Sequence, residues 1–514
     1  MSQAASLNLA DLLPEQSLEP QSQPAITSLT LDSRQVRPGA AFVALKGAQS
    51  DGRDFIAQAV EQGAVAVLVD TDAPAPAAAV PVVAVAGLAH KLSELGGRFY
   101  RHPSNELAVF GVTGTNGKTT CALLLAQLLT RVQGRHTGVL GTLGYGCLDQ
   151  QADVQSQLAR LTQTGLTTPD ALNVQRVIRE LKDDGAEALA MEVSSHSLVQ
   201  GRVAGVTMRG ALFTNLTHDH LDYHGDFTQY GAAKARLLLQ PGLSVAVLNR
   251  DDPWAFSLLG QCPQGVRPVT YSLDNAQADV YVTDRVDQRA GMSALVVTPW
   301  GRGELHTPLL GDFNLSNLLG VVTLLCASGH SLEPVLAAVP DLTPAPGRME
   351  PVVVDSARQD LQVVVDYAHT PDALENTLKA LSHHNTGRLW CVFGCGGDRD
   401  RGKRPLMGRL AERYSDYVVV TNDNPRSEDP AQIAADILKG MDNDHQCLVI
   451  ADRAQAIDLA IQQARAGDTV LVAGKGHEDY QLFASETIDF SDRDQVQRSL
   501  TRRLAKHQKG EGTQ

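Results

Sequence analysis

Residues 107–120, LAVFGVTGTNGKTT, constrain the fold of this chain more than any other stretch. The apolar run Leu107, Ala108, Val109 and Phe110 suits a buried parallel strand. A glycine-rich turn follows at Gly111, Gly114 and Gly117. Lys118, Thr119 and Thr120 then open a helix that continues through CALLLAQLL. Strand, glycine loop, Gly-Lys-Thr and helix are the parts of a phosphate-binding loop. The glycines let backbone N–H groups close around phosphate oxygens, and the helix N-terminus adds partial positive charge. Lys118 supplies a full charge, and the Thr119 hydroxyl suits a magnesium ion. Counted back from Gly117, the first glycine of the usual spacing falls at Val112, and a glycine stands one residue earlier, at Gly111.

At 514 residues the chain exceeds a single core, and about two to four domains are expected. Residues 1–104 read as a small α/β domain. It has strands on either side of a turn at Pro38 and Gly39, a helix in FIAQAVEQG, and two more strands in AVAVLVD and VPVVAVAG. The Pro/Ala tract DAPAPAAAVP reads as a solvated loop, and Pro103 as a domain-boundary breaker. Residues 105–345 form the block that holds the phosphate loop, with alternating strands and helices that predict a mostly parallel, doubly wound sheet. Within it, 278–311 reads as a small antiparallel side sheet, followed by a helix capped near Asn314 or Ser316. Residues 346–514 carry five strand candidates with helices between them, a second, Rossmann-like parallel sheet. Their carboxyl ends lead into the polar clusters DYAHTPD, GGDRDRGK, NDNPRSEDP and GKGHED, where ligands of such sheets bind. The last stretch, TRRLAKHQKGEGTQ, reads as a frayed tail.

A net charge of −14 argues against non-specific binding to nucleic acid or anionic membranes, but not against a local basic pocket for ATP. The seven cysteines are scattered without a C-x-x-C, which fits a reducing compartment. No apolar run reaches the roughly 18 residues of a membrane span, and the N-terminus lacks the pattern of a signal peptide. The chain is therefore expected to stay in the cytoplasm, with no membrane insertion.

Polar residues crowd at several further places. The strand ALAMEV ends in Glu192, a possible magnesium ligand, with Ser194, Gln200 and Arg202 downstream. On its own this reads equally as a strand end with surface polars. His218, Asp219, His220, Asp222 and His224 lie within THDHLDYH. Zinc is one reading of that run, though no cysteine or H-E-x-x-H lies nearby. Lys234 follows in YGAAK and by itself reads as a solvated helix lysine. Asp366 and His369 follow an apolar strand; an aspartate there suits a ribose hydroxyl, and Arg348 in PGRMEP suits a phosphate.

The loop G-x-x-G-T-N-G-K-T-T resembles that of the Mur ligase family, the ATP-dependent amino-acid-adding enzymes of peptidoglycan synthesis, and the other motifs follow in the family's order. The resemblance implies ATP and Mg2+ as cofactors. It places the nucleotide at Gly114, Thr115, Asn116, Gly117, Lys118, Thr119 and Thr120, with Asn314, Arg348 and Asp366 near it. It makes Lys118, Lys234, His220 and Glu192 the catalytic set, and Thr119, Glu192, His220 and a carbamylated Lys234 the metal ligands. Leu31, Ser33, Thr167, Thr168, Ser194, Gln200 and Arg202 match contacts to a UDP-MurNAc dipeptide, while Leu166 stands where some members carry asparagine. Arg399, Asp423, Asn424, Pro425, Arg426, Gly474 and Glu478 match contacts to the added amino acid. D-N-P-R resembles the motif of members that add meso-diaminopimelate. An arginine there can bind the second carboxylate bidentately, whereas it would repel the ammonium of lysine. The implied reaction joins meso-diaminopimelate to the D-glutamate γ-carboxylate of UDP-MurNAc-L-Ala-D-Glu through an acyl phosphate.

Three other readings compete. Folylpolyglutamate synthases share the loop style and make γ-linked amides, but their loop reads G-K-G-S, and D-N-P-R is foreign to them. A nucleotide-driven switch would need neither D-N-P-R nor GKGHED. An NAD-dependent oxidoreductase is suggested by GCGGD after LWCVF, which lacks G-x-G-x-x-G.

Overall fold

The computed structural model describes residues 6–16, 18, 24–47, 50–72, 77–288, 290–442 and 447–511. Part of the Pro/Ala tract and the last three residues of the chain lie outside them. By compactness the chain divides into two units. One comprises Met1–Tyr281, Thr298–Gly301 and Leu318–Ala338; the other comprises Val282–Val297, Arg302–Asn317 and Val339–Gln514. The architecture is α/β with mostly parallel sheets, as the alternation of strand and helix patterns predicts.

The first unit opens with a four-stranded sheet, Ser28–Thr30, Ala40–Ala44, Ala66–Asp70 and Val82–Val85, parallel throughout. The two strands flanking Pro38 and Gly39 are thus parallel neighbours, and a 3-10 turn at Ser33–Gln35 begins the return. Helix Leu88–Phe99 ends this segment. Arg101 and His102 then take left-handed backbone angles, and Pro103 begins a 3-10 turn.

The larger sheet of this unit runs in the order Arg267–Ser272, Val245–Asn249, Gly210–Phe213, Ala108–Thr113, Ala188–Glu192, Thr137–Gly141, all parallel. Gly144–Leu148 adds an antiparallel edge. The strand Val280–Gln288 starts as a parallel neighbour of Arg267–Ser272, with Val280 and Tyr281 opposite Tyr271 and Ser272. The segment read as a side sheet therefore begins as a continuation of this sheet. Helix Lys118–Gln133 is buried on all sides from Thr119 to Thr130, which is why KTTCALLLAQLLTRVQ lacks a polar face. Helix Ala171–Asp183 buries Leu172, Val174, Val177, Ile178 and Leu181 at helical spacing, and Asp170 caps it by accepting from the N–H groups of Leu172 and Asn173.

In the second unit, Gln362–Asp366, Thr469–Ala473, Leu389–Phe393, Tyr417–Val420 and Cys447–Val449 form a parallel sheet in that order, with Glu350–Pro351 antiparallel at one edge. All five sequence-predicted strands are present. The helix expected to be capped near Asn314 or Ser316 starts earlier, at Asp312, because Gly311 takes the left-handed angle that turns the chain into it. Asn314 therefore lies in its first turn, its Nδ2 donating to the Leu310 carbonyl at 2.9 Å. The expected frayed tail is instead the end of a helix, Asp492–Glu511. Its buried Val496 and Leu500 pack with Ile457 and Ile461 of helix Arg453–Gln463, an apolar spacing that the charged tail obscures in the sequence.

Candidate functional site

The strand before the phosphate loop runs further than its apolar residues suggest, from Ala108 to Thr113. Gly111 is thus a strand residue and not part of the turn. A Cβ there would meet Met208 Sδ at 2.9 Å, with Val193 and Leu237 close behind, so this glycine serves packing. The turn proper begins at Gly114, with φ +151°, where a Cβ would lie 1.9 Å from Thr214 Oγ1. That close approach fixes glycine at this position and accounts for the unusual spacing.

The loop is tied down by the chain at 214–217. Thr115 N–H donates to the Asn215 carbonyl at 2.9 Å, Asn116 N–H to Asn215 Oδ1 at 2.9 Å, and Thr214 Oγ1 to the Asn116 carbonyl at 2.7 Å. Thr115 Oγ1 also lies 3.2 Å from the Tyr230 hydroxyl. Thr214, Asn215 and Tyr230, which brace this loop, are not among the residues singled out in the sequence. Lys118 Nζ donates to the carbonyls of Gly114 at 2.9 Å and Thr115 at 2.7 Å.

Lys234 is not a solvated lysine. It is 1% exposed, and its Nζ donates to the same Gly114 carbonyl at 2.7 Å. Burial, and then the Lys118 charge, push its pKa well below that of a free lysine. Tyr230 offers it a ring face 4.7 Å away.

Glu192 ends its strand 1% exposed, with Oε1 accepting from Thr142 N–H at 2.8 Å and Oε2 from Thr142 Oγ1 at 3.2 Å. Thr119 and Glu192 line one small cavity with Ala122, Leu123, Val139 and Leu161. A hydroxyl and a carboxylate are the oxygen donors that magnesium takes. Lys234 as an ammonium would repel a cation and fits such a site only as a carbamate. His220 sits at φ +53° beside Asp219, its ring edge-to-face with His196 at 5.0 Å. Burial, with His220 and His224 nearby, holds the His196 pKa down to about 4, so this ring is neutral near pH 7. Among the described residues no three His, Cys, Asp or Glu side chains converge in metal-holding geometry, so the histidine run is not gathered into a zinc centre.

Of the residues matched to the UDP-MurNAc dipeptide, Thr167, Thr168, Ser194, Gln200 and Arg202 come together around the end of the Glu192 strand, whereas Leu31 and Ser33 follow the strand Ser28–Thr30. Thr168 Oγ1 donates to the Glu192 carbonyl at 2.8 Å, and Thr142 Oγ1 lies 3.1 Å from Thr167 Oγ1. Ser194 caps the short helix Ser195–Val199. Gln200 Oε1 holds the Arg202 guanidinium at 2.6 and 2.9 Å, and Arg202 Nη1 donates to the Thr168 carbonyl at 2.5 Å. Leu166 is exposed. Ser33 is buried, its Oγ bonded to Gln58 Oε1 at 3.1 Å, and Leu31 is half-buried beside it.

In the second unit, Asp366 is buried at a strand end and accepts from Met349 N–H, Ala368 N–H and Thr377 Oγ1 at 2.6, 2.8 and 3.2 Å. It shapes the turn that carries Arg348, whose guanidinium lies 4.3 Å over the Tyr367 ring. His369 Nδ1 is 2.8 Å from the Tyr367 carbonyl.

The residues matched to the amino acid gather beyond the strands ending at Phe393, Val420 and Ala473. Asp423, Asn424 and Pro425 are buried, and Arg426 is half-buried at φ +53°. Arg426 N–H donates to the Leu482 carbonyl at 2.9 Å and Nη1 to the Gly397 carbonyl at 2.8 Å. Non-glycine residues with left-handed angles cluster at functional sites. Of the seven described here, His220 and Arg426 are candidate site residues and Met349 and Asp398 adjoin candidates, whereas Arg101, His102 and Asp284 do not. Gly474 approaches Asp423 so closely that a Cβ would meet Oδ2 at 2.7 Å. Glu478 Oε2 accepts from Asn424 Nδ2 at 2.9 Å. Arg399 is exposed on its loop. Reading the sequence missed Arg453, fully buried against Asp492. It donates to the carbonyls of Ala473 at 2.9 Å and Asn422 at 3.3 Å, just before Gly474 and Asp423. An arginine inside an ordinary-looking helix gives no sign of this in sequence.

Comparison with known proteins identifies the family. Family profiles match in chain order: "Mur ligase family, catalytic domain" over residues 25–100, "Mur ligase middle domain" over 112–325, and "Mur ligase, glutamate ligase domain" over 347–476. A UDP-N-acetylmuramoyl-L-alanyl-D-glutamate--2,6-diaminopimelate ligase of Ectopseudomonas mendocina is 48% identical over 484 residues, covering 94% of this chain and 96% of its own. The ligase of the same name from Coxiella burnetii is 44% identical over 481 residues, covering 92% and 96%. A solved structure of a ligase with that name superposes with a TM-score of 0.71 at 37% identity, covering 98% of this chain and 99% of its own. With these three family models in order and relatives 44% and 48% identical over nearly its whole length, the chain belongs to the Mur ligase family.

Proposed function

We propose that this enzyme uses ATP to join meso-diaminopimelate to the D-glutamate γ-carboxylate of UDP-MurNAc-L-Ala-D-Glu, a step of peptidoglycan precursor synthesis. Beyond the full-length likeness, the observation that supports this most is Asp423-Asn424-Pro425-Arg426 packed against Gly474 and Glu478 at the ends of adjacent strands. We assign the UDP-MurNAc end to residues 1–104, ATP to 105–345 and the amino acid to 346–514. The use of ATP and a uridine-nucleotide precursor supports a cytoplasmic site of action.

In the reaction the γ-carboxylate attacks the ATP γ-phosphorus, giving an acyl phosphate and ADP; the diaminopimelate amine then attacks the carbonyl and phosphate leaves. The first step brings anion onto anion, so positioning and charge screening carry it. The loop N–H groups and Lys118 hold the triphosphate. Arg202, steered by Gln200, and Thr168 hold the peptide acid. Thr119, Glu192, His220 and carbamylated Lys234 would hold magnesium, which when bound neutralises charge between the two anions. The test is purified protein with UDP-MurNAc-L-Ala-D-Glu, ATP and a panel of amino acids, following phosphate release and product mass. Diaminopimelate should give the expected adduct. Turnover with glutamate on a folate substrate would favour the folylpolyglutamate reading.

Burial favours the neutral amine of Lys234, the form that adds to carbon dioxide to give a carbamate and a proton. Stripping carbon dioxide should therefore lower activity several-fold, and bicarbonate should restore it. Lys234→Ala should regain activity when a short carboxylic acid is added. An intact mass showing unmodified lysine in fully active enzyme would refute the carbamate.

A further inference from the structure

Lys475 is fully buried, yet no step of the reaction uses it. Its Nζ lies 3.1 Å from Asn424 Oδ1, 3.1 Å from Glu478 Oε2 and 3.7 Å from Asp423 Oδ1. Its partners are thus all residues assigned to the amino acid, while its own burial keeps it from the ligand. We propose that Lys475 is a positioning residue that makes this pocket specific for a zwitterionic end of the substrate, an ammonium and a carboxylate on one carbon. This rests on the function proposed above.

Two observations carry the argument. The first is the polarity of Asn424. Its Oδ1 accepts from Lys475 Nζ and, at 3.0 Å, from Leu482 N–H. Both are groups that only donate, so the amide cannot flip. Its NH2 must face the other way, where one hydrogen goes to Glu478 Oε2 at 2.9 Å. An amide held like this donates to a carboxylate and cannot accept from an ammonium.

The second is charge. Asp423, Glu478 and Asp479 bring three negative charges, and Lys475 and Arg426 two positive ones. All but Lys475 bear electrostatically on the Tyr480 hydroxyl, and Lys475 Nζ lies 5.4 Å from the Tyr480 ring, so the five share one locality. The sum is −1, so the locality holds both signs, as a zwitterion requires. Without Lys475 it would carry a net charge of −2 and a reversible amide, both of which suit a cation.

The experiment is steady-state kinetics of wild type, Lys475→Met and Asn424→Asp with meso-diaminopimelate and L-lysine, alongside thermal unfolding. Asn424→Asp keeps an acceptor for Lys475 and Leu482 but loses the outward donor, and so tests the same idea if Lys475→Met fails to fold. In each variant KM for diaminopimelate should rise at least about tenfold, with KM for ATP and for the UDP precursor unchanged. The diaminopimelate-to-lysine ratio of kcat/KM should fall by a similar factor. If the ratio is unchanged in both variants, or all three KM values rise together, Lys475 is merely structural and the proposal fails. If wild type itself prefers lysine, both the proposed function and this inference fall.

Discussion

Lys118→Ala should abolish turnover, by at least about a thousandfold, in a protein that remains folded. Removing one preorganised donor from developing charge costs about a hundred- to a thousandfold, and Lys118 brings a full charge to a step in which two anions meet. Its structural role is small by comparison. It is half-buried, and hydrogen bonds from its Nζ go to carbonyls of its own loop, at Gly114 and Thr115. Such bonds contribute about 1–3 kcal/mol each at most, against a folding stability of about 5–15 kcal/mol. The loop keeps its other anchors, from Asn215 to Thr115 and Asn116 and from Thr214 to Asn116. The substitution also reaches Lys234, because the Lys118 charge is one cause of its lowered pKa. With that charge gone, Lys234 becomes more basic and less ready to form a carbamate. Lys118→Arg should not rescue activity, since a planar fork cannot take the place of a compact ammonium between two carbonyls. Near-normal phosphate release by folded Lys118→Ala would refute the phosphate-loop assignment.

The phosphate loop was legible in the sequence because its function and its local fold use the same residues. Gly114, Gly117, Lys118 and Thr119 announce both the turn and the chemistry. The parallel strands of the second unit were legible for a similar reason: continuous apolar runs ending in polar clusters mark buried strands and the side on which ligands sit. What escaped were residues whose importance lies in distant partners. By its own local pattern Lys234 reads as a surface lysine, and only the family resemblance marks it; the fold places its amine on the Gly114 carbonyl, 120 positions away in sequence. Arg453 and Asp492 form a pair 39 positions apart, and nothing in either local pattern signals burial. The edge strand Gly144–Leu148 was missed because its glycines weaken the strand pattern and its register is set by its neighbour Thr137–Gly141. Gly111 was taken for a loop glycine because sequence does not distinguish a glycine that turns from one that makes room for Met208.

Arg426 should decide which amino acid is added. Wild type is expected to use meso-diaminopimelate and scarcely L-lysine, which differs by one carboxylate on the ε-carbon. The backbone of Arg426 is held at φ +53° by the bond from its N–H to Leu482, and Nη1 is held by the Gly397 carbonyl. These contacts orient the fork before the substrate arrives, which favours a bidentate pair with a carboxylate. Lysine leaves that guanidinium without a partner and sets a second cation beside it. Leaving a buried charge unpartnered costs about 3–5 kcal/mol. Arg426 is half-buried, so the lower end applies, and about 3 kcal/mol corresponds to roughly a hundredfold in kcat/KM. Arg426→Ala should lose about that factor with diaminopimelate and gain far less with lysine, since Asn424 and Lys475 keep the rest of the pocket set for a carboxylate and an ammonium together. The measurement is kcat/KM for both amino acids in both proteins. Equal use of the two by wild type, or undiminished diaminopimelate addition by Arg426→Ala, would remove Arg426 from substrate selection.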